Sequence, residues 1–282
     1  MAKLKWAKFP HAAKAFDYAG PKLEKAWDKL HAGDQEPFPD EDRIAKLLKA
    51  NPKLGKPADA GRIADALADA WRAYHLGDFE DAHAQGDALG VLGAVVACKA
   101  MGIHATYLVD DPKDRLKRLE LVAERAEAAI AALPKEANAH YFRAFALGRY
   151  SQLISIAKAL SGGLAGKVKE SLDNTLKLAP KHAEANLAMA MYHAEIVAKV
   201  GGMIASLTYG AKASTAEEHL KTAQKLAPDA PVVWLETGNA LLLLYGARRE
   251  DDAALAYAKA GKMKPVEAMQ ALDVIAAKSH IE

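Results

Sequence analysis

The sequence predicts an all-α chain built as a helical-repeat solenoid with long inter-helix insertions. Three observations carry this. Alanine, the strongest helix former, is the commonest residue, and aromatic residues make up only 7%. Runs of alternating Val, Ile and Thr are missing, so no sheet is expected. Finally, Pro134, Pro180, Pro228 and Pro265 each close an alanine-rich helical pattern and precede a fresh one. A proline cannot continue a helix and it stiffens the connection to the next. Each repeat of a solenoid packs only on its neighbours, so a chain of 282 residues need not build one large core.

Composition excludes several functions. The 38 basic and 36 acidic residues nearly cancel, which leaves no electrostatic footprint for nucleic acid. Cys98 is the one cysteine, so neither an intrachain disulfide nor a cysteine-rich zinc site is expected. No run of eighteen uninterrupted apolar residues and no signal-peptide core is visible, so no membrane span and a cytoplasmic location are expected, unless a leader has been removed.

In chain order, residues 1–35 carry two short helical patterns around Gly20-Pro21, with Trp6, Phe9, Phe16, Leu23, Trp27 and Leu30 as their buried residues. Residues 33–57 are broken by prolines around one helix, Asp40 to Ala50, with acids in its first turn and Lys49 in its last. Residues 1–58 are read as a lead-in or cap with a mobile loop, and residues 59–282 as the repeat domain. There, Ala60 to Leu76 predicts a helix, Gly77-Asp78 a turn, and Phe79 to Met101 a second helix. Asp111 and Pro112 suit the N-cap and first position of a helix that stops at Pro134. Ala137 to Ala183 reads as two antiparallel helices broken at Gly162-Gly163, and Gly201-Gly202 marks a similar break one unit later.

The last unit places Trp234, Gly238 and Leu241 on one helix and Ala253, Tyr257, Ala260 and Pro265 on the next. HLGDFEDA, from His75 to Ala82, has the form of an inter-helix turn. On these residues the chain from about residue 60 resembles the tetratricopeptide repeat, which implies a right-handed solenoid. The middle units exceed that motif's 34-residue period by roughly a dozen residues, placed between their helices. ALGRYSQ, a long insertion and LKLAPKHAEA together resemble bacterial tetratricopeptide proteins, the regulator-of-microtubule-dynamics family and the T component of tripartite (TRAP) transporters. The family resemblance implies a helical scaffold with a pore or groove, and for the T component a small apolar ligand.

Catalytic and metal sites are not expected. SGGLAGKV is one residue short of a phosphate loop and has Val168 where a hydroxyl is needed. His182, His193 and His219 lack metal-binding spacing on one helix. Cys98 reads as a small buried hydrophobe, and Gly86, Gly90 and Gly93 as a tight helix contact. No cofactor is expected. The glycine pairs permit sharp turns, with a lid or ligand-facing backbone as the alternative.

In tetratricopeptide arrays the first helix of each repeat lines the concave face. Carried over by offset from the closing proline, this places Asn138, Tyr141, Phe145 and Arg149, then Met191 and Glu195, then Asn239, on a groove, with Gln152 adding a further polar group. The alternative is that Tyr141, Phe145 and Met191 are ordinary core residues. Arg149 is expected to reach an acceptor on an adjacent repeat, with Glu195 the leading one. The expected function is a non-enzymatic scaffold that offers this groove to a protein or peptide partner. The alternative is a carrier of a small apolar ligand.

Overall fold

The computed structural model describes residues 4–10 and 16–281, and among these there are helices and turns but no strand. The chain forms two compact units: Met1–Lys29 with Glu36–Tyr150, and Leu30–Gln35 with Ser151–Glu282.

The first unit opens with an irregular strap, residues 4–10, where a helical pattern was expected; residues 11–15 lie outside the described residues. Tertiary contacts override the local pattern. The Trp6 ring packs against His104 (4.6 Å between centroids) and His83 (5.3 Å), with the Arg118 guanidinium 4.8 Å from its centre. Ala7 N–H donates to His104 Nε2 at 2.9 Å, and Arg118 donates to the Lys5 carbonyl. The helices α1 (Lys22–Leu30) and α2 (Glu41–Ala50) follow, α2 capped by Asp40 as its acidic start predicts. The segment around α2 is tied down: Trp27 Nε1 donates to the Glu36 carbonyl at 2.7 Å, Arg43 pairs with Glu136, and Ile44 and Leu48 are buried.

Helix α3 (Ala60–Leu76) ends at Gly77, whose φ of 96° favours glycine. The expected single helix over 79–101 is two: α4 (Phe79–Ala88) and α5 (Ala94–Tyr107), separated by a tight turn at Gly90–Gly93. Gly90 takes a φ of 59°, and the Gly86 and Gly93 backbones meet with no room for a side chain. Those glycines therefore fold a hairpin rather than join two long helices. Next come α6 (Pro112–Ala132), capped by Asp111, and α7 (Ala137–Leu153). Within this unit α3 packs on α4 and α5, and α5 packs on α4 and α6. Gly102 of α5 receives the Phe145 ring of α7.

The second unit contains α8 (Ile156–Ser161), α9 (Leu164–Leu178), α10 (Ala183–Val200), α11 (Gly202–Tyr209) and α12 (Ala213–Leu226). It continues with α13 (Pro231–Tyr245), α14 (Glu250–Gly261) and α15 (Ala268–Ser279). Each of Pro134, Pro180, Pro228 and Pro265 stands in the turn that follows a helix. Helix α10 packs on α12 and α13, and α13 on α14 and α15, while α9, α12 and α14 each pack on the long helix that follows. The alanines Ala183, Ala190, Ala194, Ala216, Ala223 and Ala240 fill the α10–α12–α13 core with Leu187, Leu220 and Val233. Their small side chains let the helices approach closely. The short helices α8 and α11 occupy the insertions at Gly162-Gly163 and Gly201-Gly202, where Gly163 (φ 63°) and Gly201 (φ 79°) make turns that suit glycine.

Candidate functional site

Two turns carry the same bond. His140 Nε2 lies 3.0 Å from the Pro134 carbonyl, and Trp234 Nε1 donates to the Pro228 carbonyl at 2.8 Å, six residues from the proline in each case. The prolines thus set a common register, which locates equivalent residues on α7, α10 and α13.

The expected groove residues divide between the units. Asn138, Tyr141, Phe145 and Arg149 belong to the first, and Gln152, Met191, Glu195 and Asn239 to the second. In the first unit Asn138 is buried and donates to Glu36 Oε2 at 2.6 Å, so it anchors the segment before α2. Tyr141 is buried against Phe142, and only Phe145 and Arg149 reach the surface in part. The Arg149 guanidinium lies 5.8 Å from the centre of the Phe145 ring.

In the second unit Met191, Glu195 and Asn239 are half-buried. Met191 rests on the edge of the α10–α12–α13 core. Glu195 pairs with Lys199 at 2.7 Å and accepts from Gln152 Nε2 at 2.8 Å. Asn239 Oδ1 accepts from the Tyr257 hydroxyl at 2.9 Å, and its Nδ2 donates to Glu236 at 3.1 Å. Burial raises the Tyr257 hydroxyl to about 12, so it stays a donor. Leu242 and Leu243 extend the same helix with exposed apolar surface. The α10 and α13 face is therefore an apolar strip with polar groups held in fixed orientations, a combination suited to recognition.

The structure also joins histidines that spacing alone did not connect. The His193 and His219 rings stack across α10 and α12 at 6.1 Å and 16°. Lys212 N–H donates to His193 Nδ1 at 3.2 Å, and His219 Nδ1 lies 2.8 Å from Asn186 Oδ1. Burial, then the neighbouring His219, lowers His193 to about 4; burial also lowers His219. Neutral, stacked rings so engaged are cross-braces between helices. Among the described residues no group of three or more His, Cys, Asp or Glu could hold a metal ion. His182 Nδ1 accepts from Ala185 N–H at 3.0 Å and caps α10. The Leu30–Gln35 segment, which the prolines around it did not reveal as a docked turn, meets the same helix start through Glu184 N–H to the Gly33 carbonyl at 3.0 Å.

Cys98 is buried and its thiol is pushed up to about 12, which makes it a weak nucleophile. The stretch Gly90–Tyr107 is long and apolar enough to cross a membrane, and 67% of it is buried inside the protein. Its Lys99 lies over the Tyr74 ring and its His104 holds the strap. No protein-family model and no curated protein matches the chain.

Proposed function

We propose that the chain is a non-enzymatic helical-repeat module of the tetratricopeptide kind that binds a protein or peptide partner along its first-in-repeat helices. The observation that carries this reading is the packing order of the second unit. The helices α10, α13 and α15 touch in succession, and α12 and α14 pair with them as second helices. That order leaves Met191 and Glu195 of α10, and Asn239 and Leu243 of α13, half-exposed or exposed at matching distances from their prolines. Gly238 seated on the Tyr257 ring, where the repeat motif pairs a small residue with an aromatic, supports the same assignment. An extended segment or an amphipathic helix is the form of partner such a strip accepts.

The test compares partner capture by the wild-type chain and by Met191→Lys/Leu243→Lys, with native mass spectrometry of the purified chain alongside. The expected result is a discrete protein or peptide partner retained by the wild type and lost by a variant with an unchanged unfolding midpoint. A defined small-molecule adduct without such a partner would support the apolar-ligand carrier instead.

A further inference from the structure

We infer that the two insertions of the second unit form a docking edge for an anionic lipid surface. The inference starts from α11. Its outward residues are Met203, Ile204 and Leu207, which are 78%, 54% and 83% exposed, and only Ala205 is buried. Met203 and Leu207 are four apart and Ile204 and Leu207 three apart, so they share one helix face. Most single exposed apolar residues need no explanation, but three neighbouring ones on one short helix form a patch.

The helix is fixed in this pose. Ala211 N–H donates to the Ala205 carbonyl at 3.0 Å, the Tyr192 hydroxyl donates to the Tyr209 carbonyl at 3.3 Å, and Lys212 N–H donates to His193 Nδ1. Glycines with positive φ, Gly201 and Gly210, bound it at either end. The apolar face is thus held toward water by the body of the unit.

The other insertion emerges at the same end of the helical layer. Gln152 leads into α8 and is bonded to Glu195, which stands near the end of α10 where the chain enters α11. Exposed Ile156 opens α8.

Lysines occupy both insertions, and the carboxylates lie at their borders, at Glu170, Glu195, Glu217 and Glu218. Residues 151–169 contain Lys158, Lys167 and Lys169 and no acidic residue; residues 196–216 contain Lys199 and Lys212 and again none. Lys169 and Lys199 are paired, with Asp173 and Glu195. Lys167 and Lys212 are exposed, and among the described residues neither has an ion pair. Exposed aliphatic side chains, with the exposed Lys212 shortly after α11 and the exposed Lys167 in the other insertion's neighbourhood, match the interface of an anionic bilayer. The apolar residues enter the acyl boundary while the ammonium groups meet the headgroups. A short helix with its apolar side chains exposed on one face can enter the acyl boundary without a cavity to receive it.

The test uses the full chain and vesicles of phosphatidylcholine with and without phosphatidylglycerol. Leu207→Cys carries an environment-sensitive fluorophore, and the buried Cys98 thiol leaves the new cysteine as the labelled site. The expected result is blue-shifted emission, quenched by lipid-embedded spin labels, with phosphatidylglycerol vesicles alone. Co-sedimentation of the unlabelled chain should fall at least about tenfold in Met203→Ser/Leu207→Ser and in Lys167→Glu/Lys212→Glu, and should be kept in Leu207→Phe. No binding to anionic vesicles, or binding that ignores these substitutions, would overturn the inference. So would concentration-dependent self-association abolished by Met203→Ser/Leu207→Ser, which would assign the patch to a second copy of the chain.

Discussion

Replacing Gly238 with alanine should destabilise the second unit, although alanine is the better helix former. An ideal Cβ at Gly238 would stand 2.6 Å from Tyr257 Cζ and 2.8 Å from Cδ1. The ring cannot swing aside freely. It is 3% exposed, its hydroxyl is bonded to Asn239, and its face stacks on His280 at 4.3 Å and 10°. Overpacking of this kind costs about 1–3 kcal/mol. Displacing the ring adds about 1 kcal/mol for the lost hydroxyl bond, and alanine's helix propensity returns about 1 kcal/mol. The net expectation is a loss of about 1–3 kcal/mol, a fall of several degrees in the melting temperature. Gly166 on α9 is the control: nothing lies within 4 Å of its Cβ position, so Gly166→Ala should be neutral or stabilising by up to about 1 kcal/mol. Denaturant unfolding of the two variants reads the contrast. Gly238→Ala at or above wild-type stability would refute the packing argument. Tyr257→Leu in the Gly238→Ala background should recover part of the loss.

Other outcomes follow from the same geometry. His193 is neutral in the fold at about 4 and charges near 6.5 when unfolded, so its stabilising contribution is complete above about pH 6.5 and is lost as pH falls toward 4. Its share of the slope is at most about 1.4 kcal/mol per pH unit, so His193→Gln should flatten acid unfolding curves; an unchanged slope would refute the assignment. Gly93→Ala should cost the first unit about 3 kcal/mol or more by forcing the Gly86 and Gly93 backbones apart, read as early loss of amide protection in α4 and α5. Trp6→Ala should release the strap and cost about 2–3 kcal/mol, seen as faster exchange of the Ala7 amide. Cys98 should resist alkylation until the first unit unfolds, and fast native labelling would contradict its burial.

Local chemistry made much of the helical layout legible. Asp40, Asp111 and Pro112 mark helix starts, and the four prolines mark ends, because caps and prolines act within a few residues. Gly238 and Tyr257 were legible as motif positions on successive helices, and their contact is set by the packing of α13 on α14. Features set by distant contacts were not legible. The strap at residues 4–10 owes its shape to His104 and Arg118, some hundred positions away. The break between α4 and α5 comes from two glycines meeting face to face, whereas their spacing also suits one long helix. Of the groove residues, Asn138 and Tyr141 are buried, since register places a residue on a helix face without saying what covers that face. Glu195 is engaged by Lys199 and Gln152, partners that the offset from the proline does not name. The outward face of α11 is not legible in the sequence because GGMIASLTYG is too short to show an amphipathic period.

The measurement that tests partner binding by α10 and α13 most directly is site-specific photo-crosslinking. A benzophenone side chain at Met191 is compared with one at Leu255, which is 69% exposed on the second helix α14. The account expects the probe at Met191 to trap one discrete protein or peptide and the probe at Leu255 to trap none. Equal labelling from both positions, or a partner trapped from Leu255 alone, would contradict it.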